Sequence, residues 1–303
     1  MNNLTCLDAA YSTTRQITKQ KPVIESQPEG KFESVLFLPE GEGRQGEGGL
    51  RTQGYFKTSL KEKPLITVIT VVFNGEQYLE GTILSVINQT YDNVEYIIID
   101  GGSTDGTLDI IRKYEHAIDY WVSEKDRGIY DAMNKGIDLA TGEWLNFMNA
   151  GDNFYCSKTI SEISFSFLRE YMIYGNAVLS PSGNIQNQQD WDCQFNKQII
   201  HQSIFFPALF IKSIKYDCSY KIMADFDLVK FFLHTRKKNV CFVNKIICFY
   251  DTSGISSMGV DNYYKEFLSI AFKNGYLEYF KAFIYIVPRV VFHKLNKILM
   301  EKV

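Results

Sequence analysis

The sequence predicts an α/β fold in which a mostly parallel central sheet carries helices on both faces. Three observations predict it. Residues 65–73 form a continuous β-branched run, residues 94–99 a second apolar run, and residues 144–148 a third. Between these runs, apolar residues recur at helical spacing. Strand–helix–strand alternation of this kind builds βαβ units and therefore parallel pairing. A strand that is apolar at nearly every position is buried on both faces.

After the first strand, Leu79, Ile83, Val86 and Ile87 recur every three or four residues and predict a helix over 78–88. The second strand ends in Asp100-Gly-Gly-Ser-Thr-Asp105-Gly, and Leu108, Ile111 and Tyr114 mark a second helix. Residues 119–122 read as a short strand and 130–139 as a third helix. The strand at 144–148 ends in Asn149-Ala-Gly-Asp152. Further on, 171–179 and 184–189 read as strands around a turn at Ser180-Pro-Ser-Gly183. Residues 224–235 read as a helix and 240–249 as one or two short strands.

Two segments flank this pattern. Residues 41–54 contain six glycines, which predicts an irregular N-terminal arm over residues 1–63. Gly41, Gly43 and Gly46 formally match a dinucleotide fingerprint, but no helix follows to receive a pyrophosphate, so the match is a decoy. At the other end, residues 261–303 are assigned to C-terminal helices. Ile284, Val287, Val291, Leu295 and Ile298 step by three and four, and residues 281–303 hold five Lys or Arg against one Glu. Such a basic amphipathic helix suits an anionic membrane surface, or packs on the domain with a solvated basic face.

Composition removes several classes. With 303 residues, 45% hydrophobic and 22% charged, the chain can bury a core, so wholesale disorder is excluded. A net charge of −3 argues against a protein that covers nucleic acid. The six cysteines lack zinc-type spacing and read as reduced thiols. The polar N-terminus lacks a signal-peptide core, and no apolar run has the length of a membrane span, so a cytoplasmic protein is expected.

Polar residues cluster where the predicted strands end. Asn74 follows the first strand, Asp100 the second, Asp126 and Arg127 the third, and Asp152 the fourth. Ligands of open α/β sheets bind at the carboxyl ends of the strands. Convergence of several such groups on one edge reads as a site.

Four ordered segments carry a resemblance. These are residues 66–75, 85–91, 97–107 and Gly128-Ile-Tyr-Asp-Ala-Met-Asn-Lys-Gly136. Together they resemble a family 2 glycosyltransferase of the GT-A fold, among bacterial enzymes of capsular, exopolysaccharide and lipopolysaccharide assembly. The resemblance is strong over 64–155, implied to be the nucleotide-sugar half, and weaker over 156–260, the acceptor half. Gly48-Gly-Leu-Arg-Thr-Gln-Gly-Tyr-Phe56 has the look of a lead-in to such domains.

The resemblance implies an inverting transfer from a nucleotide-diphosphate sugar to a glycan or lipid-linked glycan acceptor, and no nucleic-acid partner. It places Asp100 near the base; as a bare sequence feature Asp100 also caps the turn at Ser103 and Thr104. Asp105 reads as a helix cap. Asp152 is the surviving acid of a motif that usually has two or more, and it would hold Mg2+ or Mn2+ with the phosphates and water. Asp225 would deprotonate the acceptor, with Asp227 the second candidate. His201 is implied to contact the phosphates or metal. Asn74, Asp126, Asp131, Asn134 and Lys135 complete the implied donor site. The loop 254–259 would act as a lid. A sugar-phosphate nucleotidyltransferase would need cations after the first strand, where Asn74-Gly-Glu-Gln-Tyr78 offers none. The alternative function is a catalytically inactive nucleotide-sugar or glycan-binding protein, and the peripheral site of action would be the inner membrane face.

Overall fold

Strand β2, Ile66–Val72, is buried at every residue and lies inside the sheet between β3, Val94–Asp100, and β5, Trp144–Phe147, both parallel to it. The computed structural model describes residues 4–24, 32, 34–166, 168–189, 199–236, 239–254, 260–273 and 284. Among them, β4, Tyr120–Ser123, extends the parallel set beyond β3, and β1, Gly46–Gly48, closes that edge antiparallel to β4. On the other side β9, Ile204–Pro207, pairs antiparallel with β5 and leads to β7, Met172–Ser180. β10, Val240–Asp251, runs parallel to β7. The outermost pairings are β6, Asn153–Phe154, on β10 and β8, Asn184–Gln186, on β7. The sheet is therefore mostly parallel in its first half and mixed in its second.

Alternation along β2 and β3 sorts the core into two layers. Ile66, Val68, Tyr96 and Ile98 pack with α1, Leu79–Ile87, and with Ile111 of α2, Thr107–Lys113. Ile69, Val71, Ile97 and Ile99 pack with α3, Ile129–Leu139, and with the second-half helices α4, Ala208–Ile214, α5, Ala224–Arg236, and α6, Val260–Lys273. Helices thus cover both faces, as the β-branched runs require. A Cβ on Gly136 would stand 2.5 Å from Ile69 Cγ2, so glycine lets α3 sit directly on β2.

The glycine-rich arm has a physical role. Gly49 has φ +98°, and a Cβ there would meet the Ile118 carbonyl at 2.7 Å. Only glycine lets the chain turn so close to that backbone. The turn then delivers Leu50 N–H to the Ile118 carbonyl (2.9 Å) and Arg51 N–H to the Asp119 carbonyl (2.8 Å). Leu50 is buried, and buried Arg51 donates to Glu95 Oε1 at 2.6 Å and to the Leu36 carbonyl at 3.2 Å. Nearer the N-terminus, Ser12 Oγ donates to the Val86 carbonyl and Thr13 Oγ1 to the Ala117 carbonyl. The arm is largely irregular, yet it supplies a strand and several buried attachments, among them Ser34 Oγ, which accepts from Lys212 Nζ of α4 at 2.7 Å.

Residues 184–189 contribute only the short β8, and 240–251 form one long strand where one or two short ones were expected. Strand β9 and helix α4 carry no clear periodicity in the sequence; seven-residue α4 is too short to show one. The basic segment 281–303, apart from residue 284, and the loop residues 255–259 lie outside the described residues.

Candidate active site at the carboxyl ends of the strands

The turn after β2 places Asn74 at φ +50°. Its Oδ1 accepts Thr104 N–H at 2.9 Å, and its own N–H donates to Ser103 Oγ at 2.7 Å. Asn74 therefore ties the end of β2 to the loop after β3. Asp100 lies beneath that loop, fully buried. It accepts Ser103 N–H at 3.0 Å, Ser103 Oγ, and Ser123 Oγ at 2.5 Å, so both oxygens are filled by the protein. Phe73, between β2 and Asn74, remains 64% exposed.

At the third strand end, Asp126 accepts Gly128 N–H at 2.9 Å. Burial, with Asp131 and Asp100 nearby, outweighs that bond and the Lys135 charge and raises its pKa. Asp131, in the first turn of α3, accepts the Arg127 N–H and guanidinium at 3.1 and 2.9 Å. Partial burial would push Asp131 up, but these bonds hold it below the usual carboxylate range. Asn134 clamps the chain at Tyr216 through both ends of its amide, each bond 2.9 Å long. Lys135 pairs with Glu124 at 2.7 Å, and the same carboxylate holds Arg44 from the arm. Both residues are thus engaged with the protein.

The turn 149–152 is held from α1. Thr82 Oγ1 donates to the Asp152 carbonyl at 2.8 Å and accepts Gly151 N–H at 3.1 Å. Gly151 has φ +103°, and a Cβ there would approach Asp251 Oδ2 to 3.4 Å. Backbone strain and a facing carboxylate thus explain why no acid stands at 151. Asp152 is 4% exposed, and burial raises its pKa to about 6. Its oxygens accept Gln202 Nε2 at 2.6 Å and Asp251 N–H at 2.8 Å.

The short turn His201–Ser203 joins both halves. His201 Nδ1 lies 3.0 Å from Asp225 Oδ2, and its Nε2 lies 3.2 Å from Asn149 Nδ2. A proton on Nδ1 would be donated to the carboxylate, and Nε2 would then accept from the amide. Tyr130 OH donates to the other Asp225 oxygen at 3.2 Å. Adjacent residues thus clasp two acids: His201 takes Asp225 and Gln202 takes Asp152. Asn146 secures the turn by donating to the carbonyls of Gln202 and Ile204, both at 2.9 Å.

Asp225 opens α5 and is buried, whereas Asp227, two residues on, pairs with Lys273 at 2.7 Å. Sequence reasoning named His201, Asp225 and Asp152 but not the hydrogen bonds joining them. It noted Gln202 only as the neighbour of His201 and Asn149 only as a place without an acid, and it did not single out Thr82 or Tyr130 as supports. It also took Phe73 as a strand residue, although a large aromatic beside a turn Asn was the available signal.

Among the described residues, no three His, Cys, Asp or Glu side chains converge to hold a metal, and no helix is long and apolar enough to cross a membrane. The described cysteines are free thiols.

This architecture recurs in known proteins. S. aureus TarS 1-349 in complex with UDP-GlcNAc superposes with TM-score 0.57 at 16% identity, covering 72% of this chain and 69% of that one. The match spans 41% of the longer TarS chain. A mannosyltransferase from Pyrobaculum calidifontis, in complex with GDP-Man and Mn2+, gives TM-score 0.54 at 16% identity over 74% of this chain and 71% of that one. Sequence relatives are nearer. A PGL/p-HBAD biosynthesis glycosyltransferase of Mycobacterium bovis is 33% identical over 223 residues, 68% of this chain and 83% of its own length. The Bacillus subtilis putative teichuronic acid biosynthesis glycosyltransferase TuaG is 32% identical over 126 residues, 40% of this chain and half of its own. The glycosyl transferase family 2 pattern itself matches residues 67–201. With its GT-A sheet and the strand-end site built on it, the chain belongs to glycosyl transferase family 2 and is a glycosyltransferase.

Proposed function

We propose that the protein transfers a sugar from a nucleoside-diphosphate sugar to a glycan or lipid-linked acceptor with inversion, in assembly of a surface polysaccharide or glycolipid. The observation that carries this reading is the His201–Gln202 clasp, which sets the donor-side acid Asp152 and the candidate base Asp225 across one short turn. In the reaction, the acceptor oxygen attacks the anomeric carbon as the bond to the diphosphate breaks. The hydroxyl proton passes to Asp225, and one displacement inverts the centre. Asp225 has one oxygen set by His201 and the other by Tyr130, so its orientation is fixed before the acceptor arrives.

On the donor side, the turn that Asp100 and Asn74 hold forms the floor for the base, and Phe73 offers an exposed ring for stacking. A divalent cation fits this site as a partner carried by the diphosphate. Asp152 provides a carboxylate, and Asn149 Oδ1 and Gln202 Oε1 are buried without hydrogen-bond partners. These are oxygen donors of the kind Mg2+ and Mn2+ prefer. When bound, the cation neutralises charge on the departing diphosphate. Asp126 and Asp131 would orient donor hydroxyls from the start of α3.

A thermal-shift panel of UDP-, GDP-, dTDP- and CMP-sugars, each with and without Mg2+ or Mn2+, tests the donor site. One nucleotide class should raise the melting temperature by mass action. No shift with any donor would count against a preformed donor site and leave a glycan-binding protein, or a site completed only by acceptor or membrane. Phe73→Ala should weaken affinity for that class by about 1–3 kcal/mol, the usual worth of a base–aromatic stack. Unchanged affinity by calorimetry would remove Phe73 from the base site.

The same reading places the enzyme at the inner face of the cytoplasmic membrane through residues 281–303, whose net charge is +4 from five Lys or Arg and one Glu. The full chain should sediment with vesicles containing phosphatidylglycerol and remain in the supernatant with phosphatidylcholine alone. Equal recovery with both would end the electrostatic part of this proposal.

A further inference from the structure

Helix α5 carries Asp225 in its first turn, but Met223, whose carbonyl accepts the first intrahelical bond from Asp227 N–H at 3.0 Å, has no side-chain oxygen to cap it. Helix starts leave backbone N–H groups without intrahelical partners, and an oxygen-bearing cap normally takes some of them. Here an acid from another helix serves the chain just before α5. Glu266, on α6, accepts Lys221 N–H at 2.7 Å on one carboxylate oxygen. It accepts Ile222 and Met223 N–H, each at 3.0 Å, on the other. Three consecutive amides converge on one side chain 43–45 residues further along the chain.

The same helix grips α5 twice more. Phe267 stacks on Phe226 with centroids 5.6 Å apart, and Lys273 pairs with Asp227 at 2.7 Å. Phe226 and Asp227 follow Asp225 directly, while the three amides precede it with only Ala224 between. Asp225 is thus fixed from both sides in sequence by α6, and from its carboxylate by His201 and Tyr130.

We infer that Glu266 is a positioning residue for glycosyl transfer: by holding the amides of 221–223 it sets the start of α5 so that Asp225 meets His201 and the acceptor hydroxyl. The inference rests on the proposed role of Asp225 as base. Glu266 touches neither donor nor acceptor in this account. Its effect belongs to the rate of the chemical step, because a base displaced by a fraction of an ångström to 1 Å can lose up to about 10²-fold.

The test uses the full-length protein and four variants: Glu266→Gln, Glu266→Ala, Asp225→Asn and the Glu266→Ala/Asp225→Asn double. Nucleoside diphosphate release is measured from UDP-glucose and from GDP-mannose with Mn2+, together with donor affinity and amide hydrogen exchange over 219–228. Glu266→Ala should lower kcat about 10-fold or more with the donor KM within twofold. Glu266→Gln, which keeps one accepting oxygen, should recover part of the loss. In the double variant, Glu266→Ala should add little to the Asp225→Asn defect, since coupled residues are non-additive. Exchange at 221–223 should quicken in Glu266→Ala while amides of β2 and β3 stay protected.

If Asp225→Asn is slow but Glu266→Ala keeps wild-type kcat, the positioning role is wrong and the base assignment stands. Additive losses in the double variant would equally overturn it. If Asp225→Asn turns over at the wild-type rate, the base assignment itself fails. Should neither donor be turned over by the wild-type protein, the exchange arm still decides the latch: unchanged protection at 221–223 in Glu266→Ala overturns it.

Discussion

Asp225→Asn should lower turnover about 10²–10⁴-fold, the usual contribution of a positioned general base, while donor affinity stays within about twofold. The asparagine matches the aspartate in size and keeps one accepting oxygen, so it can keep the bond from Tyr130, while its amide N–H2 can face His201 only when the imidazole proton sits on Nε2. What it cannot do is accept the acceptor proton. The loss should appear in kcat, because the interaction is made only as the hydroxyl is attacked. Released nucleoside diphosphate gives the rate, and calorimetric titration of the donor gives the affinity. Unchanged turnover would take Asp225 out of the reaction. An equal loss of donor binding would make it a structural support of the donor site. Asp227→Asn is the paired comparison: it loosens the ion pair with Lys273 but leaves the carboxylate beside His201 in place, so its loss in kcat should be far smaller than that of Asp225→Asn.

Arg51→Ala should destabilise the fold by about 3–5 kcal/mol, the scale on which a buried ion pair fails when one partner is removed. Arg51 and Glu95 are 3% and 1% exposed. Without the guanidinium, Glu95 keeps Thr67 Oγ1 at 2.6 Å, Thr141 N–H at 2.8 Å and Thr141 Oγ1 at 2.5 Å, but loses its ion-pair partner in the interior. In the intact protein burial pushes the Glu95 pKa up, yet the Arg51 charge and these three bonds outweigh it and leave it lowered. A lowered carboxylate pKa contributes stability that is present above the unfolded value and is lost as pH falls through the folded one. The gap between wild type and Arg51→Ala should therefore be widest near neutral pH and narrow in acid. Urea unfolding at pH 7 and at pH 4 measures both. A difference under about 1 kcal/mol at pH 7 would show that the Arg51–Glu95 pair contributes little to the fold.

The parallel half of the sheet was legible because its strands are buried on both faces and therefore apolar at successive positions. Ile66, Val68 and Ile69 leave no other reading. Carboxylates at strand ends were legible for the same reason, since a polar residue just after a buried run must lie at the sheet edge. The second half was harder to read. Its strands pair in mixed directions and β10 shifts register against β7, although α5 was read with its start at Ala224. Partnerships across the chain were not legible at all. Nothing in spacing announces that Gln202 bonds Asp152, that Asn134 holds Tyr216, or that Glu266 serves amides 43 residues earlier. Asp100 shows the limit within the site: the sequence offered it as a cap of the Ser103 turn or as a base contact, and the fold has Ser103 on its carboxylate, as the cap reading had it, with Ser123 added from β4.

The arm also sets an order of events during synthesis. Ser12 finds its acceptor 74 residues further on and Thr13 finds its own 104 residues further on. When residues 12 and 13 leave the ribosome neither acceptor has yet been made, and the later of the two follows 104 residues afterwards. At roughly 5–20 residues per second, that interval is of the order of ten seconds. During it, an apolar residue such as Ile17, wholly covered in the finished protein, is open to chaperones and proteases. Docking of the arm is then among the later steps of folding, after strands β2 to β4 have provided its seat.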